Sequence, residues 1–351
     1  MDIKFNKKII IEITLFLFIA VALFTYARNV KEEGFEIEVL AKNLDTPWAM
    51  DFLPGGDLIF TERDGRVSIL KDGKVTVVGE IEVYQKSESG LLGIAVDRQF
   101  TQNNYIYLYY TYDKGNRVSR FTLNKNLKLE KEFVLLENIP SAKYHDGGRI
   151  KFGPDGMLYV TTGDAIDPKL SQDIDSLAGK ILRINKDGTV PEDNPFNSYI
   201  YSYGHRNPQG LAWSGSGELF ASEHGQRSND EINVIIKGKN YGWPNAECDE
   251  VSKTYINPVR CFSEFTLAPS GISFYKDNLY VAGLRGAQLR EIVFDKDGKK
   301  VLKEKELFDN LGRIREVVAY GGYLYIATNN RDGRGVPVFD DDKIIRMKRS
   351  K

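Results

Sequence analysis

The sequence predicts an all-β fold, a six-bladed β-propeller, and three observations predict it. One phrase occurs six times: a turn bearing Gly, Asp or Asn, a strand of alternating aromatic and β-branched residues, then a second turn and strand. Its copies begin roughly 45–60 residues apart, near the period of four-stranded blades that cannot bury both faces alone. After residue 30 no apolar stretch reaches helical length before Gly or Asp interrupts it. A sandwich pair or a barrel leaves six copies of one phrase unexplained.

Residues 1–30 form a separate unit, a signal peptide or an N-terminal membrane anchor. Lys4, Lys7 and Lys8 precede an apolar run from Ile9 to Phe24 that only Glu12 and Thr14 interrupt. Basic residues before an apolar stretch place the start inside and the body outside the membrane. The run falls short of the ~20 residues of a comfortable span, which favours cleavage. Tyr26-Ala27-Arg28 is a poor cleavage site, which favours an anchor. The exported body, 35–348, is the propeller.

Its blades follow in order. PGGDLIFTERDGRVSIL starts at Pro54 and QNNYIYLYYTYDKGNRVSRF at Gln102, while GPDGMLYVTTGD and LAGKILRIN start at Gly153 and Leu177. GSGELFASEHGQRSNDEINVI follows from Gly215, KDNLYVAGLRGAQLREIVF from Lys276, and GGYLYIATNN with DDKIIRM from Gly321 and Asp341. Loops at one end of such a ring converge on its central channel, so residues far apart in sequence can meet there.

Composition excludes some partners. With 48 basic and 49 acidic residues, a net charge of −1 and no run of one sign, nucleic acid is not a partner. By this balance the membrane is expected to be reached only through the N-terminal segment. The 19 Tyr and 19 Phe suit strands. Cys248 and Cys261 lie in one loop of an exported protein, where a disulfide persists and stabilises by ~3 kcal/mol; the two are predicted to be bonded.

The stretch from Tyr201 to Pro244 carries the densest polar chemistry. All three histidines sit in polar phrases: His145 in KYHDGGRIKFGPDG, His205 in YGHRNPQG and His224 in SEHGQRSNDE. His145 stands on a loop with little cover from Gly147 and Gly148, and an imidazole titrating near neutrality suits an alcohol proton. Asp146 either orients it or caps the turn. Arg206-Asn207 sets a guanidinium fork beside an amide, suited to a carboxylate or a developing oxyanion, or else braces neighbouring loops. Arg313 and Arg315 in LGRIREV alternate on a strand and share a face, which needs an anion or carboxylates between them. With Arg285 they make a basic pocket. Glu231 and Tyr241, near Asp230 and Glu223 and the Gly225-Gln226 turn, offer oxygen ligands for calcium. No EF-hand loop, zinc ligand set, glycosidase carboxylate pair, phosphate-binding glycine loop or GxSxG turn stands out.

GLLGIAVD, HDGGRIKFGPDGMLYVTTGD, GHRNPQGLAW, DEINVIIKGKNYGWP and GRIREV together resemble the soluble quinoprotein glucose dehydrogenase and aldose sugar dehydrogenase family, the glucose/sorbosone dehydrogenases. The resemblance runs from about Phe35 to Arg346. It implies a six-bladed propeller that holds pyrroloquinoline quinone (PQQ) and Ca2+ and oxidises the anomeric hydroxyl of aldose sugars to lactones, passing electrons to an unidentified acceptor. It implies that His145 is the general base, with hydride transfer to the quinone, and that Arg206 with Asn207 flanks the quinone. Arg206 would stabilise charge on the reduced quinone oxygen. The carbonyls of Gly225 and Gln226 match the cofactor-bridging calcium turn, Glu231 and Tyr241 a further calcium site, and Arg285, Arg313 and Arg315 the anchors of the cofactor's carboxylates. Three features depart from the family pattern. Glu88 faces the cofactor position where several relatives carry Gln, His224 replaces a frequent Gln, and the loop Asn245–Phe262 diverges. An acid at 88 repels a tricarboxylate unless it is protonated or calcium-bound. The alternatives are a non-catalytic carbohydrate- or protein-binding propeller of the same fold and a calcium-dependent lactonase-type hydrolase.

Overall fold

The computed structural model describes residues 30–32, 34–248, 253–298 and 300–350, so the leader falls outside the described residues except at Val30. Among the described residues no helix is long and apolar enough to cross a membrane. Six antiparallel sheets form the ring, each an up-and-down run of neighbouring strands. The innermost strands are Pro47–Phe52, Leu91–Val96, Ile150–Phe152, Pro208–Trp213, Pro269–Tyr275 and Ile314–Tyr320. The expected six-bladed propeller is therefore the observed one.

The last blade closes the ring with strands from both ends of the chain. Ile314–Tyr320, Tyr323–Thr328 and Ile344–Arg349 are joined by Phe35–Ala41, which pairs antiparallel with Ile344–Arg349, and Val30–Glu32 adds a fifth strand. Backbone hydrogen bonds between distant parts of the chain thus lock the ring shut, which leaves that blade no open edge beside its neighbour.

Burial follows position in the blade. Leu91–Val96 is buried at every residue, because it packs against Pro47–Phe52 and Leu58–Glu62 of the blade before it and Ile150–Phe152 of the blade after it. The outer strand Val301–Leu307 is exposed at four of seven positions. Between blades sit fully covered aromatics such as Tyr107, Tyr109, Phe220 and Tyr280, each contributing about 2–3 kcal/mol by removing apolar area from water.

The inner strands share one direction, and that direction builds the site. The loops that enter them carry Glu88, His145, Arg206, Ala268 and Arg313, and these meet at one end of the channel. At the other end, Phe152, Trp213 and Phe274 line a separate cavity. Between the two ends Trp48 is stacked by the Arg149 guanidinium at 4.3 Å and the Arg315 guanidinium at 5.7 Å.

The predicted disulfide joins Cys248 to Cys261, with Cα atoms 5.4 Å apart. It ties the divergent loop to the short strand Arg260–Phe262, which pairs with Asp230–Ile235 beside the site.

Candidate active site

A cavity of about 470 Å³ opens at the loop-convergence end, and Glu88, His145, Arg206, Asn207, Gly225, Gln226, Arg285 and Arg313 all line it. Eight of the eleven sequence-predicted site residues therefore meet at one pocket. Arg315 lies behind this wall, while Glu231 and Tyr241 line a smaller adjoining cavity with Glu223 and Gly225.

His145 enters the pocket from a left-handed backbone (φ 65°), a conformation that costs a non-glycine residue free energy and recurs at functional loops. Its loop packs against the turn after Leu158–Thr162, and a Cβ at Gly163 would overlap the His145 carbonyl. Gly163 is thus required for the close approach that brings the next residue, Asp164, to the imidazole. Nδ1 of His145 lies 2.7 Å from Oδ1 of Asp164. Asp164 is 1% exposed and also accepts hydrogen bonds from the Trp243 indole at 2.9 Å and the Ile166 amide at 2.9 Å. These donors hold the carboxylate as an acceptor. Nδ1–H of His145 donates to it, and Nε2 is left as the imidazole's acceptor.

Of the two roles open to Asp146, the structure supports the cap. Its carboxylate accepts from the Ala142 amide at 3.2 Å and from Asn116 Nδ2 at 3.0 Å, closing the turn before His145. Burial pushes its carboxyl up to about 7 against those two hydrogen bonds. Sequence reasoning missed Asp164, because an Asp after Thr-Gly at a strand end reads as an ordinary turn residue.

Arg206 is fixed by its backbone. Its amide donates to Glu223, Nη1 donates to the His224 carbonyl at 3.2 Å, and the guanidinium lies 5.3 Å from the Trp243 ring. Nε has no partner. His205, fully buried, is structural: its ring bridges Ser202 and Glu223 at 2.8 Å each and stacks on Tyr241. The amide oxygen of Asn207 accepts from Gly147 at 3.1 Å, which ties the Arg206 loop to the His145 loop. Burial, reinforced by Arg206 and Arg315, depresses the His224 imidazole to about 3, so it is neutral, and its Nε2 has no partner.

The expected acid repulsion at Glu88 is relieved by a residue the sequence reading did not use. Arg334 Nη1 lies 2.5 Å from Glu88 Oε1, while Oε2 accepts from the His145 amide at 3.3 Å. Burial works to raise the Glu88 carboxyl, but Arg334, with help from Arg315, holds it below the usual range. Neither protonation nor calcium is needed there.

Arg313 and Arg315 do need a carboxylate between them, and it is Asp332. Arg313 donates to it through Nε at 3.0 Å and Nη2 at 2.7 Å, and Arg315 Nη2 lies 3.9 Å from it. Arg313 immediately precedes the strand rather than lying within it. Arg315, 4% exposed, donates to Gln209 at 2.7 Å and to Asn329, and burial together with Arg313 lowers it to about 9. Arg334 and Asp332 both come from the Asn329–Asp340 loop, whose sequence has no strand period to flag it.

The pocket's electrostatics follow. Arg206, Arg227, Arg285, Arg313 and Arg334 line it against Glu88 and Asp230. Asp230 is itself engaged by the amides of Gly225, Leu267 and Ala268. The surplus of guanidinium, with Arg206 Nε and His224 Nε2 lacking partners, fits a ligand with several carboxylates.

Metal chemistry has weaker side-chain support. Among the described residues no group of three or more His, Cys, Asp or Glu side chains is arranged to hold an ion. Glu231 accepts from the Cys248 amide at 2.7 Å and Asn233 at 3.0 Å, and burial with the neighbouring Glu223 charge pushes it up to about 8. The Tyr241 hydroxyl donates to the Val234 carbonyl at 2.6 Å and accepts from the Ile236 amide at 2.8 Å, which holds the ring in place beside Glu231.

Comparison with known proteins identifies the family and the fold. The family model described as Glucose / Sorbosone dehydrogenase matches residues 44–344. The chain is 32% identical over 341 residues to aldose sugar dehydrogenase YliI of Escherichia coli (strain K12), covering 85% of this chain and 91% of that protein. It is 38% identical over 255 residues to quinoprotein glucose dehydrogenase B of Acinetobacter calcoaceticus, covering 61% of this chain and 53% of that one. The PQQ-bound aldose sugar dehydrogenase of Streptomyces coelicolor superposes with a TM-score of 0.85 at 38% identity, over 91% of this chain and 99% of that chain.

Proposed function

The chain belongs to the glucose/sorbosone dehydrogenase family, and on that premise we propose that it is an oxidoreductase that converts the anomeric hydroxyl of aldose sugars to a lactone, with PQQ and calcium as cofactors. The observation that carries this reading is the His145–Asp164 pair opening on a pocket lined by five arginines.

The residues fit the quinone. Arg285, Arg313 and Arg334 would hold its carboxylates, and Arg206 with Asn207 would flank its reactive edge. When bound, the quinone supplies a two-electron acceptor for the hydride equivalent leaving C1 of the sugar. His145 does the proton chemistry: Nε2 takes the hydroxyl proton as the C1–O bond gains double-bond character. Asp164 keeps Nε2 as the acceptor and stabilises the imidazolium that forms. Arg206, held by Glu223 and the His224 carbonyl, presents a fixed positive charge to an oxygen that becomes negative.

For calcium, the carbonyls of Gly225 and Gln226 would serve the ion at the cofactor. Glu231 and the backbone carbonyl of Tyr241 would serve a further ion. The raised Glu231 carboxyl beside Glu223 supports a cation there, since two buried acids repel unless one is protonated or a cation lies between them. Lys4, Lys7 and Lys8 ahead of the Ile9–Phe24 run support an exported protein, secreted or tethered by residues 1–30.

The test is reconstitution of purified apoprotein with PQQ and calcium, followed by dye reduction with a panel of aldoses. Sugar- and quinone-dependent turnover is expected. Quinone-independent inertness toward every sugar would instead favour the carbohydrate- or protein-binding propeller.

A further inference from the structure

We propose that the loop Arg331–Asp340 docks the pocket face of the propeller onto a lipid bilayer, with Val336, Val338 and Phe339 entering the headgroup–acyl boundary. Phe339 is 96% exposed, Val336 89% and Val338 57%; among the described residues the first two are the most exposed large hydrophobic side chains. Three such residues within four positions form a contiguous apolar tip, which a water-facing loop has no reason to keep.

The tip is held outward by a braced base. Asp340 pairs with Lys42 at 2.7 Å and Lys343 at 2.8 Å, and Asp341 accepts from the Val338 amide at 2.8 Å and from Asn330. Asp342, fully buried, accepts from the amides of Asn330 and Arg331. Arg334 pairs with Glu88 and Lys42 with Asp340, while Arg331, exposed at the base of the loop, donates to the Asp341 carbonyl, so the tip itself offers apolar surface. Ile166, 45% exposed on the loop that carries Asp164, adds a second apolar point on the same face.

The direction of the chain selects lipid over a protein partner. Phe35–Ala41 runs toward the pocket face, where the Asn43 amide donates to the Asp340 carbonyl. Val30–Glu32 pairs with it antiparallel, Val30 against Ile37, and so its start points to the same face as the apolar tip. The chain before Val30 carries the 16-residue run Ile9–Phe24 behind three lysines. Val30 thus begins a strand whose start points toward the face that carries the braced apolar tip. The docking rests on the exported reading of that segment. It places the mouth of the arginine-lined pocket against the bilayer surface.

The test uses the full chain in phosphatidylcholine vesicles containing a fifth phosphatidylglycerol. A fluorophore is placed on Phe339→Cys or, on the opposite face, Lys74→Cys; the two native cysteines are bonded and do not compete. Lipid-borne nitroxide should quench the label at 339 at least threefold more than the label at 74, while aqueous iodide should do the reverse. Equal iodide quenching at the two positions, whether the protein is anchored or free, overturns the proposal. Both sites are exposed, so folding is not at stake. The reading needs neither quinone nor sugar, so its failure leaves the proposed activity standing, and failure of the activity leaves it intact.

Discussion

Nδ1 of His145 and Oδ1 of Asp164 are 2.7 Å apart, and Asp164 is at the same time held by the indole of Trp243. Three separate segments of chain therefore set one imidazole tautomer. Asp164→Asn keeps the shape but puts an amide where a charged acceptor stood, which favours the wrong tautomer and removes the counter-charge. Turnover should fall by about 10²–10⁴, with quinone affinity retained. Steady-state kinetics beside a quinone titration check this, and unchanged turnover removes Asp164 from its role.

The Glu88–Arg334 pair neutralises an acid inside a pocket proposed to bind a polycarboxylate. Arg334→Ala leaves that acid unpaired, and quinone affinity should weaken by about tenfold or more, the effect of one charged contact. Glu88→Gln in the same background should restore most of the loss. Fluorescence titration reads both, and a loss that Gln fails to repair means that Arg334 acts without Glu88.

Asp146 makes stability depend on pH. Its carboxyl is raised from near 4 to about 7 by burial, so the native state retains a proton that the unfolded chain releases. The stabilisation is complete below pH 4 and is lost as pH rises through 7, an effect on the order of 2–4 kcal/mol by linkage. Denaturant unfolding from pH 5 to 8 should show this fall, and Asp146→Asn should flatten it. A variant with the wild-type slope contradicts the assignment.

Arg149 and Glu316 form a buried ion pair across the channel wall, with Arg149 also donating to the Gln209 carbonyl at 2.9 Å. Breaking one half strands the other charge, so Arg149→Met should cost about 3–5 kcal/mol of stability. The double variant Arg149→Met, Glu316→Leu should recover much of that. Urea midpoints provide the check; additive losses would deny the coupling.

The six blades were legible because turn-strand phrases at blade spacing have one economical solution, and the two cysteines because they share a loop. The pocket residues carried by the inner-strand loops, such as His145 and Arg206, stood out through Gly-rich polar phrases. Asp164, Asp332 and Arg334 did not. Their roles arise from contacts across about 20 residues or across blades, and locally each reads as a turn residue or a solvated charge. The same holds for the closing blade, since nothing local in Phe35–Ala41 announces that it pairs with the last strand of the chain. The hydroxyl contacts of Tyr241 with Val234 and Ile236 were likewise not legible, since they depend on how its loop folds back on Asp230–Ile235.

The central claim is that His145 removes a sugar proton at a quinone held by the arginine-lined pocket. Rapid mixing of aldose with anaerobic, PQQ- and calcium-loaded protein, followed by the quinone absorbance, tests it most directly. The wild-type spectrum should bleach within one turnover, and His145→Ala should bind quinone in equal amount yet bleach at least about a hundredfold more slowly. Bleaching at the wild-type rate in His145→Ala, or none with any aldose in the wild type, would contradict it.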